Sequence, residues 1–177
     1  MNKYYTRLKR IVLRSIRETD AEAIYKYRSL EDIARYQYWE PFTREQATAF
    51  AKQQEAPVEE GKWMGLAIEK DGILAGDCAF KIEGITAEVG CNISPEYQGQ
   101  GLAKEALTLL INRLFKNDNI EEIIGITDSE NIASIRLLES VGMIKDEDFV
   151  NEVMCKGKLS IEYKYKLKRI NWKNKHE

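Results

Sequence analysis

Two hydrophobic periods meet in the middle of the chain. Val89, Cys91 and Ile93 alternate with Glu88, Gly90 and Asn92, which is the spacing of a strand with two different faces. From Ala103 onward, Ala106, Leu107, Leu110, Ile111 and Leu114 recur at helical spacing and predict an amphipathic helix. Pro95 ends the strand, and Gln98-Gly99-Gln100-Gly101-Leu102-Ala103 joins it to the helix. The same reading over the rest of the chain predicts a first strand over 8–16 with Ile11, Leu13 and Ser15 on one side. Thr19-Asp20-Ala21-Glu22 reads as a capping box opening a helix to about Arg28, with Ile24, Tyr27 and Arg28 on a common face. A short helix follows over 31–38. Thr43-Arg44-Glu45-Gln46 is a second capping box, starting a helix to about Gln54 with Ala47, Phe50 and Ala51 inward.

A strand meander comes next, over 63–69 and 73–82. Lys70-Asp71-Gly72 makes a hairpin and Glu83-Gly84 turns into the Glu88 strand. Past the long helix, 120–127 is a short apolar strand, 131–141 a helix, and 143–149 and 159–167 closing strands paired across Lys156-Gly157-Lys158. Trp63 and Met64 read as core. Gly90 suits a bulge or a close backbone approach. The pattern is a mixed α/β (α+β) domain with a mainly antiparallel central sheet flanked by helices.

Length and composition narrow the class. A chain of 177 residues, 44% hydrophobic and 32% charged, fits one domain spanning 1–177, with a core of about 8–168 and a polar, solvated, partly disordered tail over 169–177. A net charge of −2 argues against a nucleic-acid partner. No run approaches the ~18 apolar residues of a membrane span, and no apolar segment follows the basic start, so no signal peptide is read. Cys78, Cys91 and Cys155 have neither paired nor metal-like spacing, which favours a reducing compartment, and a cytoplasmic location is expected. No metal is expected, and the lone His176 sits too near the end to be a base. The sequence leaves the oligomeric state open, a homodimer included.

The glycine loop carries the chemistry. Amides at a helix start lack intrahelical partners and sit at the positive end of the dipole. Gly99, Gly101 and the small Ala103 let a pyrophosphate approach them closely. A P-loop would need Gly-Lys-Ser/Thr, which is absent although Lys104 is near. A dinucleotide fingerprint would need a third glycine where Ala103 stands. By itself the loop fits an ordinary strand-to-helix turn equally well.

Gln98-x-x-Gly101-x-Ala103, after a strand carrying Glu88, resembles the pyrophosphate-binding motif of the GNAT superfamily of N-acetyltransferases. Asn131-Ile-Ala-Ser134-Ile-Arg136-Leu-Leu138-Glu139-Ser-Val-Gly142-Met143 resembles that family's second block, with Met143 in place of a phenylalanine. LRSIRETDAEAI (13–24) and WEPFTREQA (39–47) are similar to the ribosomal-protein-alanine N-acetyltransferase (RimJ/RimL-like) subgroup. The resemblance runs from about Leu8 to Lys168.

The resemblance implies a sheet with one splayed strand pair and acetyl-CoA as acetyl donor. It implies backbone contacts from Cys91, Asn92 and Ile93 to the pantetheine arm, and a diphosphate on Gln98, Gly99, Gln100, Gly101, Leu102, Ala103 and Lys104. Asn131 would contact the arm as well as cap its helix. Glu88 resembles the family carboxylate that deprotonates the amine, and alternatively pairs with a lysine. Many members carry a tyrosine acid where this chain has Leu138. Ser134 resembles the subgroup's replacement, and also fits a small packing position. Cys91 fits a buried strand residue better than a nucleophile. Tyr36, Tyr38, Trp39 and Phe42 with Glu31, Asp32 and Glu40 fit either an acceptor mouth for a cationic amine or a packed aromatic cluster with solvated acids. The expected reaction is acetyl transfer to a primary amine, of a protein or peptide N-terminus or a small molecule, by direct attack in a ternary complex. The alternatives are a non-catalytic acyl-CoA sensor and a nucleotide-binding protein using the same loop.

Overall fold

The structure, a computed structural model, describes residues 10–176, with side chains to residue 172. In chain order the elements are β1 (Val12–Ser15), α1 (Ala21–Arg28), α2 (Glu31–Ala34), α3 (Arg44–Gln53), β2 (Met64–Lys70), β3 (Ile73–Glu83), β4 (Thr86–Ile93), α4 (Leu102–Leu114), β5 (Glu122–Asp128), α5 (Ile132–Ser140), β6 (Ile144–Cys155), β7 (Lys158–Lys168) and α6 (Arg169–His176). The strands form one sheet in the order β1-β2-β3-β4-β5-β7-β6. Every neighbouring pair is antiparallel except β4–β5, which is parallel.

Alternation along the strands serves two cores. Ala67 and Leu74 join Ile16, Ile24, Tyr27, Ala47 and Ala51 under α1 and α3. Ile68, Ala75, Val89 and Ile123 join the buried face of α4, where Leu107, Leu110 and Ile111 are fully enclosed. Burying such side chains is the main favourable term in the fold.

The β4–β5 pairing is short. It covers Thr86↔Glu122, Ala87↔Ile123 and Glu88↔Ile124. Beyond that point β4 stays with β3 as far as Ile93, while β5 stays with β7 as far as Asp128. The two strands part past Glu88 and Ile124 and leave a wedge in the middle of the sheet, the splayed pair that the resemblance implies.

Local signals were realised where nothing competed with them. Thr43 and Gln46 make both bonds of their capping box, at 2.8 and 3.2 Å. The Thr19 box does not form. Residues 18–20 make a 3₁₀ turn, and the Asp20 carboxylate instead takes the Arg17 amide at 2.8 Å and the Arg14 guanidinium at 2.7 and 2.9 Å. A charge-assisted fork outcompetes a neutral cap. The expected helix over 31–38 stops at Ala34, and the aromatic residues after it fold over Arg28. The part of the expected first strand before Arg10 lies outside the described residues.

Two terminal expectations are corrected. The expected strand over 143–149 continues to Cys155, with a register irregularity between Lys145 and Val150. Its exposed length has no core to impose a period. The tail expected to be solvated is helical over Arg169–His176. Trp172 is buried against Phe115 and donates Nε1–H to Asn112 at 2.9 Å. Arg169 donates to the carbonyls of Phe115 at 2.7 Å and Ile120 at 2.8 Å, covering the end of α4.

One ion pair is fully inside. Arg28 is 5% and Asp77 0% exposed, bonded at 2.7 and 3.1 Å, with the Tyr27 hydroxyl also donating to Asp77. The guanidinium is stacked 4.2 Å from the Phe50 ring and 4.7 Å from Trp39. Removing one member of such a pair strands the other in a dry site. Asp77→Ala is therefore expected to lower stability by about 3–5 kcal/mol. Lys62→Ala, which breaks the exposed pair with Glu59, is expected to leave the urea midpoint almost unchanged. Equal midpoints for both variants in urea unfolding would contradict this account.

Candidate active site

The wedge opens into a cleft of about 1060 Å³. One end of it is the loop between β4 and α4. Gly99 and Gly101 hold φ of 72° and 78°, left-handed values that suit glycine, and both line the cleft. Gln98 donates its backbone N–H to Pro95 at 3.3 Å and its side-chain amide to the Ile93 carbonyl at 3.0 Å. Among the described residues, the amides of 99–104 meet no protein acceptor. The dipole of the thirteen-residue α4 points its positive end at them.

Most of the expected loop residues share this wall, and two do not. Gln98, Gly99, Gly101, Leu102 and Ala103 line the cleft; Gln100 and Lys104 lie outside it. The Gln100 side chain is turned back to the Glu96 carbonyl at 3.2 Å, and its own carbonyl accepts Arg10 Nη1 at 2.9 Å. Leu102 is fully buried, its side chain packed in the core behind the cleft wall. Arg10 also grips Glu105, in the first turn of α4, through Nε at 3.0 Å and its backbone N–H at 2.8 Å. That strap was not foreseen, because 95 residues separate its ends.

The two faces of β4 divide the site. Val89 and Ile93 are buried toward α4, with Cys91 half-buried between them. Burial pushes the Cys91 thiol well up, so it stays protonated and a poor nucleophile. Cys78, Cys91 and Cys155 are all free thiols. On the other face lie Glu88, Gly90 and Asn92. Of the two readings of Gly90, a bulge or a close backbone approach, the bulge is absent: Gly90 pairs with Ala79 in an unbroken register. A Cβ there would meet nothing within 4 Å, so the glycine leaves open floor in the cleft.

Glu88 is half-buried, and its cross-strand neighbour Lys81 places Nζ 3.4 Å from it. Burial raises the Glu88 carboxyl above the ordinary glutamate range, with Lys81 opposing the rise. Asn131 caps α5, its Oδ1 accepting the Ser134 amide at 3.2 Å, and both residues line the cleft. Leu138, one turn further on, is 4% exposed and packs over Gly125, where an added Cβ would come within 2.5 Å of it. The side chain at that position is part of the core.

The mouth is redrawn. Tyr36, Tyr38 and Trp39 line it, whereas Phe42 packs beneath Arg28 against Trp39 and Phe50. Asp32 lines it and pairs with Arg35 at 2.5 Å; Glu31 and Glu40 do not, and Glu40 lies 3.7 Å from Lys156. Trp63, expected in the core, is 47% exposed and stands beside Lys81 on the cleft wall, with the half-buried Met64 next to it.

Two further acids were missed. Asp128 and Glu162 face each other across β5 and β7. Asp128 accepts the Glu130 amide at 2.7 Å and the Ser160 hydroxyl; Glu162 accepts the Tyr38 hydroxyl and the Asn151 amide at 3.3 Å. No described lysine or arginine pairs with either. The buried Asp77 was missed too, though a lone acid in the apolar run from Ile73 to Phe80 was its signal.

No group of three or more His, Cys, Asp or Glu among the described residues is placed to hold a metal. No described helix is long and apolar enough to cross a membrane.

Comparison with known proteins gives this arrangement its family. The model of the acetyltransferase (GNAT) domain matches residues 10–144. The uncharacterized N-acetyltransferase YnaD of Bacillus subtilis is 30% identical over 166 residues, covering 93% of this chain and 96% of its own. The spermidine N-acetyltransferase of Vibrio cholerae, solved with CoA and spermine, superposes with a TM-score of 0.77 at 20% identity, over 93% of this chain and 99% of that one. The ribosomal L7/L12 α-N-protein acetyltransferase RimL, solved with coenzyme A, superposes with a TM-score of 0.79 at 17% identity, over 91% and 95%. At these identities the two structures speak for the fold, while the family match covers well over half of the sequence: the chain belongs to the GNAT acetyltransferase family.

Proposed function

We propose that this acetyltransferase moves the acetyl group of acetyl-CoA to a primary amine by direct attack within a ternary complex. The observation that carries the proposal is the continuity of one cleft, from unpartnered amides at the α4 start to the half-buried carboxylate of Glu88. The amides of 99–104 would take the diphosphate. The backbones of Cys91, Asn92 and Ile93, on the part of β4 that β5 has left, would pair with the pantetheine arm as an added strand does. Asn131 would reach the same arm from the end of α5.

The amine arrives on the Glu88 face. An alkylamine with pKa near 10.4 is mostly ammonium at neutral pH. Glu88, directly or through water, accepts a proton from it and frees the lone pair. The nitrogen attacks the thioester carbon and a C–N bond forms. The C–S bond then breaks, the amine's surplus proton leaves, and the thiolate gains one. Ser134, which lines the cleft, would donate that last proton. Leu138 carries no hydroxyl, so the task falls to Ser134 or to water.

The mouth supports a cationic acceptor. Glu88, Asp128 and Glu162 stand among Tyr36, Tyr38 and Trp39, and like charges opposed across strands are unfavourable until a cation answers them. Polyamines and basic N-terminal peptides both fit this chemistry. The stretches at 13–24 and 39–47 support the RimJ/RimL-like grouping and hence a protein or peptide α-amine.

Thiol release from acetyl-CoA, measured with spermidine, an alanyl tetrapeptide and kanamycin, tests the reaction; cofactor binding without release for any amine would leave only a sensor. Gly101→Glu should remove coenzyme A binding in calorimetry with an unchanged circular dichroism spectrum, because it adds negative charge and a strained side chain where the diphosphate belongs. Glu88 fills its carboxylate form above the ordinary glutamate range, so kcat/KM should climb with pH through that raised interval. In Glu88→Gln the climb should vanish and the rate fall by about 10²–10⁴-fold, with coenzyme A affinity kept. An unchanged pH profile would remove Glu88 from the base role.

A further inference from the structure

We propose that the side chain of Asn92, oriented by its bond to Asp77, receives the acceptor amine. The inference rests on the acetyl-transfer reading above and concerns the other face of a residue whose backbone that reading already uses.

The orientation of Asn92 is determined by its neighbour. Its Nδ2 donates to Asp77 Oδ1 at 3.3 Å. Asp77 as a carboxylate can only accept, and it is committed to the Arg28 guanidinium at 2.7 and 3.1 Å and to the Tyr27 hydroxyl. A flipped amide would set oxygen against oxygen, so the Asn92 nitrogen faces inward and its Oδ1 faces the cleft. Gln37 Nε2 approaches that oxygen at 3.4 Å, a long contact that occupies one lone pair and leaves the other.

The place it faces is the open floor. Glu88, Gly90 and Asn92 share one face of β4, spaced about 6.6 Å apart. The absent side chain at Gly90 leaves a gap flanked by a carboxylate and an amide oxygen, beside the point where β4 and β5 part. A primary amine in that gap has two N–H groups once its lone pair is free. One turns to Glu88 or its water and the other to Asn92 Oδ1, which aims the lone pair at the wedge where the thioester lies. Asn92 takes no proton.

This gives the buried ion pair a reason to exist. Placing Arg28 and Asp77 in a dry core is unfavourable compared with packed apolar residues. Here the pair lies directly beneath the amide it orients. Trp39, which stacks on Arg28, lies on the cleft wall, so the network reaches from mouth to floor.

The test compares wild type with Asn92→Leu, which keeps the bulk, and Asn92→Ala, which keeps the backbone. Thiol release is followed with spermidine, the alanyl tetrapeptide and kanamycin at saturating acetyl-CoA, and coenzyme A binding by calorimetry. The expected result is an amine KM raised roughly tenfold in both variants, the loss of one hydrogen bond. The coenzyme A Kd and the pH profile set by Glu88 should be unchanged. An unchanged amine KM in both variants would overturn the inference alone. So would a loss shared equally by amine and coenzyme A, which marks a structural role. No release by wild type with any of the three amines, although coenzyme A binds, would overturn the transfer reading and this inference with it.

Discussion

A parallel strand pair that is allowed to pair over only three residues sets the rest of the molecule in place. Past Glu88 and Ile124, β4 and β5 are held by their outer neighbours, and each leaves its inner edge without the other. An open edge inside a sheet is unstable unless something pairs with it. In this chain the opening is wide enough for a ligand and leads straight to helix-start amides that also have no protein partner. Two deficits of hydrogen bonding, one in the sheet and one at the helix, are joined by one cleft. The separation that weakens the sheet locally is what opens the cleft.

The strand alternation then distributes the chemistry. Side chains of β4 that point toward α4 are apolar and tie the loop to the core. Those that point away are Glu88, Gly90 and Asn92, the groups an amine would meet. A cofactor held by main-chain atoms needs no side chain of its own, which leaves the side chains of the other face free to deal with the acceptor. This is why a change from tyrosine to leucine at position 138 is compatible with the arrangement: Leu138 belongs to the packing of α5 on Gly125, and the cleft keeps Ser134 on the same helical face.

The polar groups beside and beneath the cleft come from far apart in sequence. Arg28 meets Asp77 across 49 positions, and Gln37 meets Asn92 across 55. Arg28 shares the buried face of α1 with Ile24 and Tyr27 as expected, whereas Trp63, expected in the core, stands on the cleft wall, which is also lined by Asp128 and Glu162, acids that carry no local signal. A local pattern describes one element's face without naming the element opposite, so neither the partner of Arg28 nor the exposure of Trp63 could be read from it. Glu40 and Phe42 follow the alternative reading of a packed aromatic cluster with solvated acids: Phe42 folds under Arg28, and the exposed Glu40 turns to Lys156.

By itself the sequence determined the element order, the two-faced β4 strand, the glycine loop and the helix cap at Asn131. These are decided by period, by backbone freedom and by side chains bonding within four residues of their own position. Only the tertiary structure decided where β4 and β5 part, which loop residues face the cleft, that the tail packs as a helix on Phe115, and that a buried Arg28–Asp77 pair stands under Asn92. Those features are products of contacts between segments, whose energy depends on burial and on a partner's geometry, and neither quantity is written in any local stretch of the chain.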